Sequence, residues 1–156
     1  MKTLARLAFL GVLLISGCAT ARFYPVERPL AAQTPPPILV GKIKGAFNSG
    51  SISVTLSDGE TCTGKWATVS RPQKSTTAIS SVNMTAEWDT VYGTGFYVSH
   101  VLGVRLYAKA TLSGNKGTNL NLEMYKGDDA NKAENAAAVK GVAKDGKGNV
   151  YKVTFS

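Results

Sequence analysis

The chain has 156 residues, of which 18 are basic and 10 acidic, and it carries a net charge of +8 at neutral pH. This length is expected for a single domain. One histidine and two cysteines are fewer than the four ligands of a structural zinc site, which disfavours zinc.

Two basic residues and a short apolar run open the chain. Lys2 and Arg6 precede or flank the apolar stretch over residues 7–15. A membrane-spanning helix needs about 20 apolar residues, so this stretch is too short to span and instead has the length of a signal-peptide hydrophobic region. A buried core helix is disfavoured because the segment is basic at its start and proline-rich chain follows it.

The end of the apolar run resembles the lipobox of bacterial lipoproteins, in which an aliphatic residue and two small residues precede a cysteine. The matching residues are Ile15, Ser16, Gly17 and Cys18. The resemblance implies cleavage before Cys18, a diacylglycerol thioether on its sulfur, and an acyl chain such as palmitate on the new amine. The alternative is ordinary secretory cleavage near residues 19–21.

The residue after Cys18 bears on location. In Gram-negative lipoproteins an aspartate at this position commonly retains the protein in the inner membrane, and Ala19 stands here instead. The resemblance therefore implies a lipid-anchored, extracytoplasmic protein of the outer membrane. Two or more acyl chains hold a protein stably, whereas one chain binds only marginally.

Removal of the predicted signal peptide, residues 1–17, takes away two basic residues and no acidic one, so the remaining 139 residues carry a net charge of +6. This charge favours anionic neighbours such as phospholipid head groups, lipopolysaccharide or other envelope polymers. The alternative is ordinary solubilising lysine on exposed strand positions. Nucleic acid is disfavoured because it is absent from the predicted compartment.

Five of the six prolines lie between residues 19 and 39, and no hydrophobic period is visible there. Proline fixes φ and lacks a backbone donor, which favours extended chain. We therefore predict a tether over residues 18–39, which could reach roughly 60 Å in polyproline geometry. The alternative is plain disorder.

Alternating apolar residues predict a β-rich globular domain over residues 40–156. Residues 40–47 read as a strand, and three hairpins follow, with turns at 57–60, 114–117 and 145–148. We predict a mainly β fold, an antiparallel meander of hairpins that forms a curled sheet or a small barrel. The predicted inward-facing residues of the hairpins are Ile52, Val54, Leu56, Cys62, Gly64, Trp66, Val104, Leu106, Ala108, Ala110, Leu112, Leu120, Leu122, Met124, Tyr151, Val153 and Phe155.

The segment around residues 82–92 fits a strand or a helix, and we favour one short helix packed on the sheet. Met84 and Trp88, with Val91 or Tyr92, fit one helix face. Ser81 could cap the start of this helix, and Gly93 could end it. The domain also resembles small proteobacterial lipoproteins through residues 58–66, 88–93, 141–145 and 148–152. That resemblance implies no activity.

Several residue groups are candidate chemical sites, and each has a simpler structural interpretation. Cys62 and His100 could form a nucleophilic pair, but alternation places the thiol in the core. Glu87 and Asp89 could act as paired carboxylates. The other candidates are a weak calcium site at Asp128, Asp129 and Glu134, and a groove lined by Tyr92, Phe96, Tyr97 and Tyr107, whose rings could instead cover the edges of the core.

We therefore predict no catalytic residue, cofactor or metal, and Cys18 as the lipidation site. The leading hypothesis is a non-enzymatic binding or structural role in the cell envelope. One alternative is an inhibitor or scavenging module of the lysozyme-inhibitor type, which a net positive charge disfavours because lysozymes are basic. Another is a cell-wall hydrolase, which the lack of a catalytic constellation disfavours.

Overall fold

The computed structural model describes residues 17–27, 29–46, 48–69, 84–101, 106–126 and 139–156. Within these ranges a 3₁₀ turn (Leu30–Ala32) follows the first strand and a π-helical turn (Tyr97–Val101) follows the α-helix. The strands and the helix are β1 (Gly17–Pro25), β2 (Leu39–Ala46), β3 (Ser49–Thr55), β4 (Thr61–Thr68), α1 (Thr85–Tyr92), β5 (Leu106–Gly114), β6 (Asn119–Lys126), β7 (Val139–Asp145) and β8 (Val150–Phe155).

The eight strands form a closed antiparallel barrel in sequence order. Each strand pairs with the next, and β1 also pairs with β8, for example Phe23 with Val153. The mainly β fold with one short helix is confirmed, and the sheet closes rather than curls. Closure pairs both edges of the sheet, so no described strand of the barrel presents an open edge.

The inward faces of the strands form one apolar core. Ile52, Val54 and Cys62 are all at most 1% exposed, as the alternation in β3 and β4 predicts. An eight-stranded barrel is just wide enough for side chains to fill its interior. The other large members of this core are Phe23, Leu39, Leu56, Trp66, Leu112, Leu120, Leu122, Met124, Tyr151, Val153 and Phe155.

Trp66 occupies a place in the wall that glycines keep open. A Cβ at Gly45 would lie 2.6 Å from the Trp66 ring, and one at Gly50 would overlap the Lys44 carbonyl oxygen. The indole Nε1 donates to that same carbonyl at 3.2 Å. The two glycines therefore make room for the indole, and an alanine at either position would force the wall apart.

Three hairpin turns at one end of the barrel share one geometry. In each, the fourth residue of the hydrogen-bonded turn is a glycine with positive φ: Gly59 at 78°, Gly117 at 95° and Gly148 at 85°. The amide of each glycine donates to the carbonyl three residues earlier, at 3.0 to 3.1 Å. The predicted turns at 57–60, 114–117 and 145–148 are therefore confirmed. Glycine suits these positions because a side chain would be strained at such φ values.

Helix α1 packs on the outside of the barrel against β7 and β8. It begins after Met84 and ends at Gly93, which has φ of 106° and donates to the Asp89 carbonyl at 2.9 Å. The predicted helix and its glycine terminator are confirmed. The predicted capping residue Ser81 lies outside the described residues. A separate apolar cluster joins the helix to the wall: Met84, Trp88, Val101, Tyr125 and Val142.

The sequence prediction began the globular domain at residue 40, and the structure begins the barrel at Gly17. Residues 17–25, of which 18–25 belong to the predicted tether, form β1. Ala21 and Phe23 are fully buried in the core. The alternation of Ala19, Ala21 and Phe23 with polar residues is a strand signal, which the neighbouring prolines obscured.

Candidate functional site

Cys18, the predicted lipidation site, lies near the start of β1 on the outer face of the barrel. Its side chain is exposed, and its Cα partner across the sheet is Lys44. Ala21, the first fully buried residue of β1, is only three residues further on, or roughly 10 Å along an extended strand. A lipid on Cys18 would therefore hold the barrel directly at the membrane surface and not at the end of a long spacer.

The outer face near Cys18 is basic. Strands β1 to β4 contain four basic residues and no acidic one. Arg22, Lys42, Lys44 and Lys65 are all exposed, and within the described part of the chain none lies within 4 Å of a carboxylate. The sequence alone did not reveal this grouping because it depends on the pairing of β1 with β2.

The opposite end of the barrel holds a buried carboxylate, Glu60. Its Oε1 accepts hydrogen bonds from the amides of Lys116 and Thr118, each at 2.9 Å, and its Oε2 accepts one from the Thr118 hydroxyl at 2.5 Å. These donors, led by the Thr118 hydroxyl, lower the pKa of Glu60. The ionised carboxylate thus fixes the β5–β6 turn to the start of β4.

Asp145 does the same for the β7–β8 turn. Its Oδ1 accepts from the amides of Lys147 and Asn149, each at 2.9 Å. Its Oδ2 accepts from the Asn149 side chain and from the Tyr151 hydroxyl, each at 2.8 Å. Burial, followed by the bond to Asp145, raises the pKa of Tyr151, which keeps the phenol a hydrogen-bond donor. Both carboxylate oxygens of Asp145 thus accept hydrogen bonds from groups of the turn and of β8.

Lys147, in the β7–β8 turn, contacts two carboxylates of the β3–β4 turn, those of Asp58 and Glu60. Its ammonium lies 2.5 Å from Asp58 Oδ2 and 3.6 Å from Glu60 Oε2. The hydrogen bond with Lys147 lowers the pKa of Asp58 and raises that of Lys147. Because both exposed partners are well hydrated, this pair adds little stability by itself. Its role is to close the end of the barrel between the β3–β4 and β7–β8 turns.

The candidate nucleophilic pair is not assembled. Cys62 points into the core, where it is fully buried and its thiol faces the Thr118 carbonyl at 4.0 Å. Burial raises the pKa of this thiol, which disfavours the reactive thiolate. His100 lies outside the barrel, stacked on Phe96 with ring centroids 4.5 Å apart. The wall of the barrel separates the two side chains.

The candidate carboxylate pair is engaged in holding the outer helix. Glu87 is 7% exposed and accepts a hydrogen bond from Lys144 at 2.7 Å, which raises the pKa of Lys144. Asp89 accepts from the amide of Tyr97 at 2.9 Å, at the start of the π-helical turn. Since their partners differ in position and type, the two carboxylates do not face a common substrate site.

A column of aromatic rings runs along the outer helix and the turn after it. Trp88, Tyr92, Phe96 and His100 are spaced four residues apart, with Tyr92 and Phe96 centroids at 4.8 Å. The Tyr92 hydroxyl donates to the Gly141 carbonyl at 3.2 Å, and burial raises its pKa to about 12. Lysine ammonium groups lie over two of the rings: Lys140 is 5.5 Å from the Phe96 centroid and Lys152 is 5.6 Å from that of Tyr92.

These contacts favour the interpretation that Tyr92, Phe96 and Tyr97 cover the edge of an apolar cluster, since all three pack against it. The cluster also borders a partly buried ion pair, in which the carboxylate is buried and the lysine is about a quarter exposed. Glu123 accepts from the Trp88 indole at 2.8 Å and pairs with Lys109 at 2.9 Å. The column therefore has structural partners on its inner side and lysines on its outer side.

One candidate group and one member of another fall outside the described residues. Asp128, Asp129 and Glu134, the candidate calcium ligands, lie there, as does the side chain of Tyr107. Among the residues that the structure describes, no three His, Cys, Asp or Glu side chains are grouped to hold a metal ion. None of the described helices combines the length and apolar character needed to cross a membrane.

Comparison of the chain with known protein families, with curated proteins and with solved structures gave no match. The site is therefore defined by this chain's own residues. Two features stand out: the exposed Cys18 with the basic face beside it, and the outer aromatic column with its two lysines.

Proposed function

We propose that this protein is a lipid-anchored lipoprotein of the bacterial outer membrane, with a non-enzymatic binding or structural role in the cell envelope. The observation that carries the proposal is the lipobox-like run at residues 15–18, which ends on an exposed, outward-facing Cys18. An inward Cys18 would direct acyl chains into a core that side chains already fill. The outward position leaves them free to enter a bilayer.

The non-enzymatic part of the proposal rests on how the polar groups of the described residues are used. Glu60 and Asp145 accept backbone and side-chain hydrogen bonds that hold turns, and Glu87 and Glu123 pair with lysines. A general acid or base needs a proton-transfer partner at a substrate position. Groups that are held by structural donors at both oxygens are poorly placed for that role.

The two cysteines provide a matched test of the anchor. A Cys18→Ser variant should lose acylation, measured by mass spectrometry of the N-terminal peptide, and should leave the outer-membrane fraction. A Cys62→Ser variant should keep both, because Cys62 lies inside the barrel. Outer-membrane partitioning of the Cys18→Ser variant would refute the lipid anchor.

Three assays separate the envelope roles. Crosslinking in intact cells, followed by identification of partners, should recover envelope components. A clear lytic band in a peptidoglycan zymogram would refute the non-enzymatic proposal in favour of the hydrolase. The inhibitor alternative predicts that the protein blocks lysozyme, but the acid-free outer face of β1 to β4 would repel a basic enzyme.

A further inference from the structure

We propose that the barrel lies side-on against an anionic phospholipid bilayer, through the outer face of β1 and β2. We call this face the β1–β2 strip. It consists of Arg22, Lys42 and Lys44 with Tyr24, Ile38 and Val40. The inference rests on the proposed lipid anchor and adds to it an orientation and a lipid class.

The register of the sheet places the strip in line with the anchor. Cys18 lies opposite Lys44, Thr20 opposite Lys42, and Arg22 opposite Val40. Side chains of directly opposed residues are about 5 Å apart, so the lysines stand beside β1 along its length. From Cys18 to Tyr24 the strip is about 20 Å long at the rise of an extended strand. A lipid leaving Cys18 therefore starts at one end of this same face.

The charge of the strip suits an anionic surface. Its three basic residues are exposed, and Arg22 bonds only to a neutral hydroxyl among its described partners, that of Ser156 at 3.3 Å. No acidic residue occurs in β1 to β4. Each basic side chain held near an anionic leaflet gains about 1 kcal/mol, which favours the orientation that holds it there about fivefold over the others.

The apolar residues of the strip suit the interfacial zone of a bilayer. Ile38 and Val40 are each 54% exposed, and Val26, just after β1, is 38% exposed. Three of the four large apolar residues that are exposed in the described part of the chain thus lie at or beside these two strands. Tyr24, the next outward residue of β1, has the amphipathic character that favours the head-group region. Basic and apolar side chains on one face are what a surface-lying element presents to lipid.

Fluorescent labels on the lipidated protein test this orientation. Single Val40→Cys and Ser113→Cys variants offer one new thiol each, because Cys18 is consumed by lipid and Cys62 is buried. Ser113 is exposed on β5, half a turn around the barrel from β1. In phosphatidylcholine vesicles that contain phosphatidylglycerol, the Val40 label should be protected from the neutral aqueous quencher acrylamide. The Ser113 label should stay accessible.

A charge-matched pair of variants tests the lysines. In the Val40→Cys protein, Lys42→Gln with Lys44→Gln should lower the ratio of side-on to other orientations about 25-fold and remove the protection. Lys116→Gln with Lys126→Gln removes the same charge from the β5–β6 turn and the end of β6, away from β1 and β2, and should leave the protection intact. Added salt should weaken the protection, since it screens exposed charges.

The outcomes distinguish this inference from the anchor itself. Equal accessibility of both labels, in protein that still floats with the vesicles, would overturn the side-on orientation and leave the anchor standing. Equal protection of the Val40 label in vesicles of phosphatidylcholine alone would overturn the anionic-lipid assignment. Protein that carries no acyl chain and does not float would refute the anchor. It would also refute the proposed membrane contact of the β1–β2 strip, which rests on the anchor.

Discussion

Glu60 lies at the end of the barrel with 1% of its surface exposed, a place where an ionised carboxylate is costly unless it is hydrogen-bonded. Two amides and the Thr118 hydroxyl supply those bonds, and Lys147 adds a positive charge. Together these donors outweigh the effect of burial and keep the pKa of Glu60 below its ordinary value of 4.5. The carboxylate consequently contributes stability only in its charged form.

Stability should therefore fall in acid in a way that depends on Glu60. A lowered pKa gives stabilisation that is complete above the ordinary value and is lost as the pH falls through the folded value. We expect Glu60→Gln to be less stable near neutral pH and to show a shallower loss of stability in acid, so that the two proteins converge at low pH. Urea unfolding across a pH series measures this. Glu27→Gln, at an exposed glutamate, is the control, and an unchanged acid slope in Glu60→Gln would contradict the argument.

At the residue scale, sequence reasoning predicted what depends on local pattern and missed what depends on distant partners. Alternation correctly placed Cys62 inside, and the Asp-Gly signal correctly placed the turn with Gly59. The partner of Glu60 is Thr118, 58 residues away, and no local pattern connects the two. The β1–β2 strip was not predicted for the same reason, since Arg22 and Lys42 become neighbours only through the pairing of β1 with β2.

At the scale of elements, α1 is eight residues long, too short to be stable alone in water. Its stability comes from the outer cluster around Trp88, which is distinct from the core inside the barrel. The helix face was predictable because Met84, Trp88 and Tyr92 recur at helical spacing. The wall residues that receive it, Val142 and Tyr125, were not, because they occupy outward positions on strands.

We expect Trp88→Ala to release the helix while the barrel stays folded. The change removes a fully buried indole and its bond to Glu123, a loss of about 3–5 kcal/mol for a large aromatic side chain. Hydrogen exchange should show loss of protection over residues 85–92 with protection retained in β3 and β4. Thr90→Ala, on the exposed side of the helix, should change neither. Equal loss of protection in the helix and in β3 would show that the two clusters unfold together.

At the scale of the whole molecule, closure of the barrel depends on contacts between opposite ends of the described chain. β1 pairs with β8, where Arg22 and Ser156 are 134 residues apart. The hairpins of β3 to β8 follow from local alternation and turn signals, and these were predicted. Closure was left open because periodicity within a strand contains no information about which distant strand completes the sheet. β1 was not predicted because its alternation covers only residues 18–24. Five prolines within about 20 residues dominate the composition there and favour extended chain outside a sheet.

The two interpretations of the segment after Cys18 differ sharply when it is replaced. A free tether tolerates exchange of residues 19–25 for a Gly-Ser sequence of equal length. In the closed barrel the same exchange removes Ala21 and Phe23 from the core and leaves β2 and β8 with unpaired edges. Loss of a buried phenylalanine alone costs about 3–5 kcal/mol, against a total stability of about 5–15 kcal/mol for a typical domain. We therefore expect a largely unfolded protein by near-UV circular dichroism and amide chemical-shift dispersion.

The same exchange over residues 33–37, between the 3₁₀ turn and β2, should leave the fold intact. Full stability after replacement of 19–25 would mean that β1 does not close the barrel in solution, and that the anchor is flexible after all.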